Sequence, residues 1–171
     1  MAASARQEQA WVREAQGGSA SAFEALFRLY WPQAFRAAFL VVHDAAAAED
    51  IAQEAFLAAL RHLGRFDRRR PFGAWLHRIV VNRAIDWARS RQLRREAGLE
   101  EAIAPDRSAE LSDDVLDALA DLTPEHRGVI VLRHLLGYTP GEIAELLDLP
   151  RGTVNSRLRR GLDTLRERLP S

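Results

Sequence analysis

Apolar residues recur three and four positions apart along nearly the whole chain and nowhere alternate at period two, which predicts helices throughout and no strand. Short helices persist only by burying an apolar stripe against one another, so an all-α fold of packed helices is expected. The 171 residues leave room for one ordinary domain or two small ones. A hydrophobic fraction of 47% with 28% charged residues excludes disorder as the whole answer. The absence of Cys excludes a disulfide framework, a thiolate zinc site and a cysteine nucleophile. No apolar run approaches the ~18 residues of a membrane span, and the start MAASARQEQAWVRE lacks the apolar stretch of a secretory signal. A cytoplasmic protein without direct membrane insertion is expected.

Start and stop signals divide the chain. Ser4 or Ala5 to about Gln16 reads as a first helix closed by Gly17-Gly18. Ser19 or Ser21 can cap the second, with Glu24 as a capping-box partner of Ser21. This helix carries Phe23, Leu26, Phe27, Tyr30, Phe35 and Phe39, and Trp31-Pro32 is a candidate kink. Asp44 caps a third, Ala45 to about His62, with the core stripe Ile51, Ala55, Phe56, Ala59 and Leu60. Gly64 ends it, a basic loop with aromatics covers 65–72, and a long helix runs from about Gly73 to Arg91. Four shorter helices follow: Val115 to Ala120, Pro124 to about Leu136, Pro140 to near Leu147, and about Arg151 to Arg168. Thr123 and Thr139 cap the middle two with Pro at the first helical position, and Glu142 completes a capping box.

The net charge of zero hides a pattern. Residues 1–95 carry 15 Arg against 9 acidic residues, 96–121 carry 1 against 9, and 122–171 carry 8 against 6. Two basic blocks therefore flank an acidic connector, EAGLEEAIAPDRSAELSDD, which has the composition of a linker. It is a solvated spacer or, on a sharper reading, a mimic of nucleic acid that shields a basic groove. Every basic side chain is Arg, which reads as the composition of a GC-rich genome or as a preference for forked contacts to phosphate and guanine.

Residues 139–162 have the packing logic of a helix-turn-helix. Ile143, Leu146 and Leu147 give its first helix an apolar side, Ala144 allows close approach, Leu149 plugs the corner, and Val154 and Leu158 face inward on the second. Arg151, Asn155 and Arg159 then share one outward line, with Gly152, Ser156 and Arg160 beside it. Arg can fork onto guanine, Asn can bridge adenine, and Ser can bind phosphate, which are the groups a helix brings into the major groove. The bland alternative is a solvated basic face. The expected fold is accordingly two small helical domains joined by an acidic flexible linker, the C-terminal one a helix-turn-helix. Its boundaries are an N-terminal extension over 1–18, a first domain over 19–95, a linker over 96–112 and a second domain over 113–171.

The first domain offers two further faces. Asp50, Gln53, Glu54, Leu57 and Arg61 lie opposite the core stripe of the third helix, as a solvated face or as an acidic patch for docking on a basic protein. The loop 65–72 and the helix after it interleave Arg65, Arg68, Arg69, Arg70, Phe66 and Phe72 with Trp75, Asn82, Arg83, Asp86, Trp87 and Arg89. Arg tracks phosphates and aromatic rings stack on unpaired bases, so the mixture suits single-stranded nucleic acid. Alternatively the Trp residues are core and the Arg residues solvated, and at least one Trp is expected in the core.

These pieces together resemble the extracytoplasmic-function (ECF, group IV) sigma factors, small promoter-specificity subunits of bacterial RNA polymerase. The resemblance covers about Phe23 to Leu169 and rests on AEDIAQEAFLAAL (48–60), FGAWLHRIVVNRAIDWAR (72–89) and LTPEHRGVIVLRHLLGYTPGEIAELLDLPRGTVNSRLRRGLDTLRERL (122–169), in that order. It implies that Asp50, Gln53, Glu54 and Leu57 bind the clamp helices of the polymerase largest subunit. It implies that Arg65, Phe66, Arg68, Arg69, Phe72, Trp75, Asn82, Arg83 and Asp86 read and melt the minus-ten region, holding a base flipped from the non-template strand. Arg151, Thr153, Asn155, Ser156, Arg159 and Arg160 fall at the family's minus-thirty-five recognition positions. The implied partners are core RNA polymerase, at its clamp helices and flap region, promoter DNA, both duplex and melted, and an anti-sigma factor. The chain departs from many members at Asn155 and Leu162, where a basic residue is common, and at Gly161, where Ala is common and Gly should weaken the helix by ~1 kcal/mol.

No phosphate-binding loop of the G-x-x-x-x-G-K-[ST] kind is present, so the energy for opening DNA has to come from binding bases and from the polymerase. No cofactor, metal or catalytic residue is expected: the Glu-x-x-His spacing of bundle metal sites is absent, and the five His are scattered. The rival reading is a helix-turn-helix regulator that binds duplex DNA without being a polymerase subunit. It would need a dimer seam or a ligand pocket in residues 1–95 and leaves the aromatic-basic loop without a use.

Overall fold

Side-chain oxygens start most of the helices. In the computed structural model, which describes residues 3–107 and 111–169, Ser4, Ser19, Asp44, Thr123 and Thr139 each accept a bond from the backbone N–H three residues on. Each such cap is worth ~1 kcal/mol. Residues 1–2 of the expected extension, 108–110 of the expected linker and 170–171 of the expected second domain lie outside the described residues. The helices are α1 (Ala5–Gln16), α2 (Ala20–Val42), α3 (Ala45–His62), α4 (Phe72–Glu96), α5 (Asp113–Ala120), α6 (Pro124–Ile130), α7 (Pro140–Leu147) and α8 (Arg151–Arg168), and there is no strand among the described residues.

Several local expectations are corrected. Ser19, not Ser21, caps α2, and Glu24 pairs with Arg28 at 2.7 Å instead of closing a capping box. The helix continues through Pro32 to Val42. Leu60, expected in the core stripe of α3, is 48% exposed, whereas Ile51, Ala55, Phe56 and Ala59 are buried. The helix after Thr123 is α-helical only to Ile130. A π-helical turn over Val131–Leu135 follows, with Leu136 N–H donating to the Val131 carbonyl. No Trp is fully buried; all four pack against the edge of the core.

The two helical units share one continuous core. In the first, the small residues Ala34, Ala37, Ala38, Ala48, Ala52, Ala55 and Ala59 let α2 and α3 approach closely, and Leu26, Leu76, Val80 and Val81 fill the centre. Phe23, Phe27 and Trp31 gather around Phe56, the closest pair being Phe27 and Phe56 at 4.7 Å. In the second, Leu116, Val129, Leu132, Ile143 and Val154 are buried. The units meet where α4 and α2 pack on α6 and the π turn, so the connector links domains that already touch.

Candidate nucleic-acid interface

The α7–α8 corner is built as its sequence indicates. Thr139 and Glu142 form the reciprocal capping box, Asp148 takes a left-handed conformation (φ 53°) to turn the chain, and Ile143, Val154 and Leu158 are buried inside the corner. That packing leaves Arg151, Asn155, Arg159 and Arg160 exposed, with Thr153 and Ser156 half-buried beside them. Two arginines of α8 pair with carboxylates, Arg166 with Asp163 at 3.3 Å and Arg168 with Asp121 at 2.9 Å, both beyond the outward line. The helix therefore presents a cationic and amide-bearing surface at its N-terminal half, the part able to enter a major groove.

Gly161 lies on the opposite side, against α6. A Cβ there would sit 3.0 Å from Ile130 Cγ1 and 3.2 Å from Cδ1. The helical propensity that Gly forfeits is thus set against close packing of α8 on α6, a compensation that the sequence pattern alone does not reveal.

The loop before α4 carries a small aromatic cluster. Phe66 and Trp75 stack at 4.6 Å with their planes 22° apart, and both are half-buried. Phe72, expected among the DNA-facing residues, is only 2% exposed and packs edge-on beneath Trp75 and Phe66. It supports the two rings from the core. Gln16 of α1 donates to the carbonyls of Leu63 and Phe66 at 3.0 and 2.9 Å, so the expected extension helps hold this loop. Arg65, Arg68 and Arg69 are exposed; Arg69 forks onto Asp67, and that bond holds the Asp67 carboxyl below its usual range. Asn82 is half-buried and Asp86 exposed one turn further along α4.

On α3, Asp50, Gln53, Glu54 and Leu57 are exposed together, Leu57 at 53%. Arg83 of α4 reaches Glu54 at 3.2 Å, so the acidic face and the minus-ten candidate helix adjoin.

Some positions that hold the elements together carry no such signal in the sequence. Arg91 is buried at the far end of α4, between Asp44 at 3.2 Å and Glu100 at 3.1 Å, with its guanidinium over Trp87 at 5.0 Å. It ties the cap of α3 and the start of the connector to one point. His43 closes α2 in a left-handed conformation (φ 55°), and its carbonyl accepts the Asp106 N–H of the connector at 3.1 Å. Burial pushes the His43 and His77 imidazoles down to about 4, helped at His43 by the charge of Arg127. An isolated Gly within an apolar helical pattern, as at Gly128, is the available sequence signal for close helix packing.

Comparison with known proteins agrees with this arrangement. Residues 26–94 match Sigma-70 region 2, and residues 118–167 match Sigma-70, region 4. The ECF RNA polymerase sigma factor SigW of Bacillus subtilis (strain 168) is 32% identical, covering 92% of this chain and 94% of its own. SigL of Mycobacterium tuberculosis (strain H37Rv), also an ECF RNA polymerase sigma factor, is 37% identical, covering 87% and 92%. The sigma factor RpoE of Bartonella quintana, solved in complex with the anti-sigma factor NepR, superposes with a TM-score of 0.69 at 25% identity, covering 85% of this chain and 95% of that one. Two matched regions, in the order that the capped helices and the connector dictate, place this chain among the ECF RNA polymerase sigma factors of the sigma-70 family.

Proposed function

We propose that this sigma factor divides its work among three surfaces: α3 docks on core RNA polymerase, the Phe66–Trp75 cluster with α4 receives melted minus-ten DNA, and α8 reads the minus-thirty-five duplex. The observation that carries this reading is the exposed face of Arg151, Asn155, Arg159 and Arg160 on a helix-turn-helix whose inward residues Ile143, Val154 and Leu158 are buried. The stacked Phe66–Trp75 pair supports the melted-strand role, because an aromatic face is worth roughly 1–3 kcal/mol to each unpaired base that stacks on it. Phe72 acts from beneath. Asp50, Gln53, Glu54 and Leu57 suit a basic protein partner such as the clamp helices. The first domain over 19–95 and the second over 113–171 are the units that separate these tasks, with 96–112 between them. We further read the chain as a subunit without catalysis of its own, acting in the cytoplasm and held in check by a partner of the anti-sigma kind, as RpoE is bound by NepR. The two-region match favours this reading over a free-standing regulator.

The docking role is tested by reversing charge on α3. Asp50→Arg with Glu54→Arg should lower affinity for core polymerase at least tenfold in a binding titration, with helicity unchanged. Unaltered affinity removes α3 from the polymerase interface.

A further inference from the structure

The loop that carries Phe66 has no repeating structure of its own, since residues 66–71 belong to no helix. Asp67 shapes its tip: the carbonyl accepts the Arg70 N–H at 3.0 Å, and the carboxylate accepts the Arg69 N–H at 3.0 Å. Such a turn is local and fixes nothing relative to the rest of the domain. A ring that receives a base has to be held within about 0.5 Å of its productive place. The placement of this loop therefore has to come from outside it.

Helix α1 supplies that placement. It is seated by Val12 and Ala15, both buried, and ends at Gln16, after which Gly18 (φ 98°) turns the chain toward α2. A side-chain amide carries two N–H donors. Gln16 directs both at the loop, its Nε2 lying 3.0 Å from the Leu63 carbonyl and 2.9 Å from the Phe66 carbonyl. The two acceptors differ in what else holds them. Leu63 is 2% exposed and fixed by its own burial, whereas Phe66 is half-buried and follows the amide. The carbonyl so held belongs to the residue whose ring stacks on Trp75.

The same helix reaches the other end of the loop. Glu8 accepts the Tyr30 hydroxyl, and Tyr30 lies so close to Gly73 that a Cβ there would stand 2.8 Å from its Cε1 and Oη. The loop is thus framed at both ends through a helix that precedes the matched region 2, residues 26–94. Losing the Gln16 bonds would release Phe66 while leaving the buried seat of α1 in place.

We propose that Gln16 is a positioning residue for promoter reading: by tying the Phe66 carbonyl to α1 it holds the Phe66–Trp75 pair in the geometry that distinguishes the base it receives, and so sets how sharply that base is read. The proposal rests on the loop being the melted-strand site, and its test separates the two. Holoenzyme assembled from core polymerase and the full chain first selects a single-stranded DNA from a random pool. That strand, fluorescently labelled, and copies with each base replaced in turn are then titrated. Gln16→Met keeps the length of the side chain and removes both donors; Gln16→Glu keeps its shape and turns carboxylate oxygens toward the two carbonyls. Gln16→Met should bind the selected strand about fivefold more weakly, the net worth of about one hydrogen bond, and Gln16→Glu more weakly still. Both should bind the strand altered at the received base as wild type does, so discrimination falls at that one position, and both should keep wild-type affinity for core polymerase. Trp75→Ala should lose discrimination at the same position. Equal weakening on every strand, reduced affinity for core polymerase, or Gln16→Glu lying closer to wild type than Gln16→Met would mark Gln16 as a packing residue and overturn the proposal. Wild-type discrimination in both Gln16 variants, with Trp75→Ala impaired, would overturn it while leaving the loop as the melted-strand site. Trp75→Ala binding every strand as wild type does would remove the loop from that site, and the proposal with it.

Discussion

Arg160 tests the recognition surface one side chain at a time. It is exposed on α8 and free of the Asp163–Arg166 pair, so truncating it leaves the helix-turn-helix core of Ile143, Val154 and Leu158 untouched. Arg160→Ala in holoenzyme should weaken a promoter with its minus-thirty-five element by ~1–3 kcal/mol, about 5- to 150-fold, if it forks onto a base. A residue that meets only phosphate would lower affinity equally on all sequences. Comparing cognate and altered elements by competition binding separates these, and no change on either removes Arg160 from the interface. Single residues also mark the limit of sequence reading. The cationic line of α8 was legible because it needs only helical periodicity. The burial of Phe72 was not, because Phe66 and Phe72 are equivalent as loop aromatics until α4 and Trp75 close over one of them. Leu60 similarly sits one position beyond the buried Ala59 and faces outward.

At the scale of elements, the caps explain most of what could be read. Ser4, Asp44, Thr123 and Thr139 act on backbone groups three residues away, so their chemistry is local and the helix starts followed directly. The π turn over Val131–Leu135 and the path of the connector depend on distant partners, Tyr138 on His77 and Asp106 on His43, and local pattern is silent about them. Those two histidines make the packing of α2 and α4 sensitive to acid. Both are neutral in the folded chain, lowered to about 4 chiefly by burial, whereas an unfolded imidazole titrates near 6.5. Between these values the unfolded state binds more protons, so stability is fully present above about pH 6.5 and is lost as pH falls toward 4. From pH 7.5 to 5 each imidazole should cost roughly 2 kcal/mol of unfolding free energy in urea titrations. His77→Phe with His43→Phe should flatten that slope, and an equally steep slope in the double variant would contradict the assignment.

For the whole molecule, the balance of charge matters more than any patch. With 24 Arg offset by 24 acidic residues, the chain lacks the overall positive field that drives nonspecific DNA association. Fluorescence anisotropy should show weak binding of the free chain to promoter duplex at physiological salt and strong binding only with core polymerase; tight duplex binding by the chain alone would contradict the division of labour. The charge blocks and the two-domain order were visible in sequence. The contact between the domains was not, because it is made by a missing side chain at Gly128 and by pairs 36 and 61 residues apart. The most direct test of the account is to map RNA start sites made in vitro by core polymerase on a promoter library, with and without the chain. A new set of starts sharing upstream minus-thirty-five and minus-ten sequences, present only when the chain is added, is the predicted result. The same starts at the same frequencies in both reactions would contradict it.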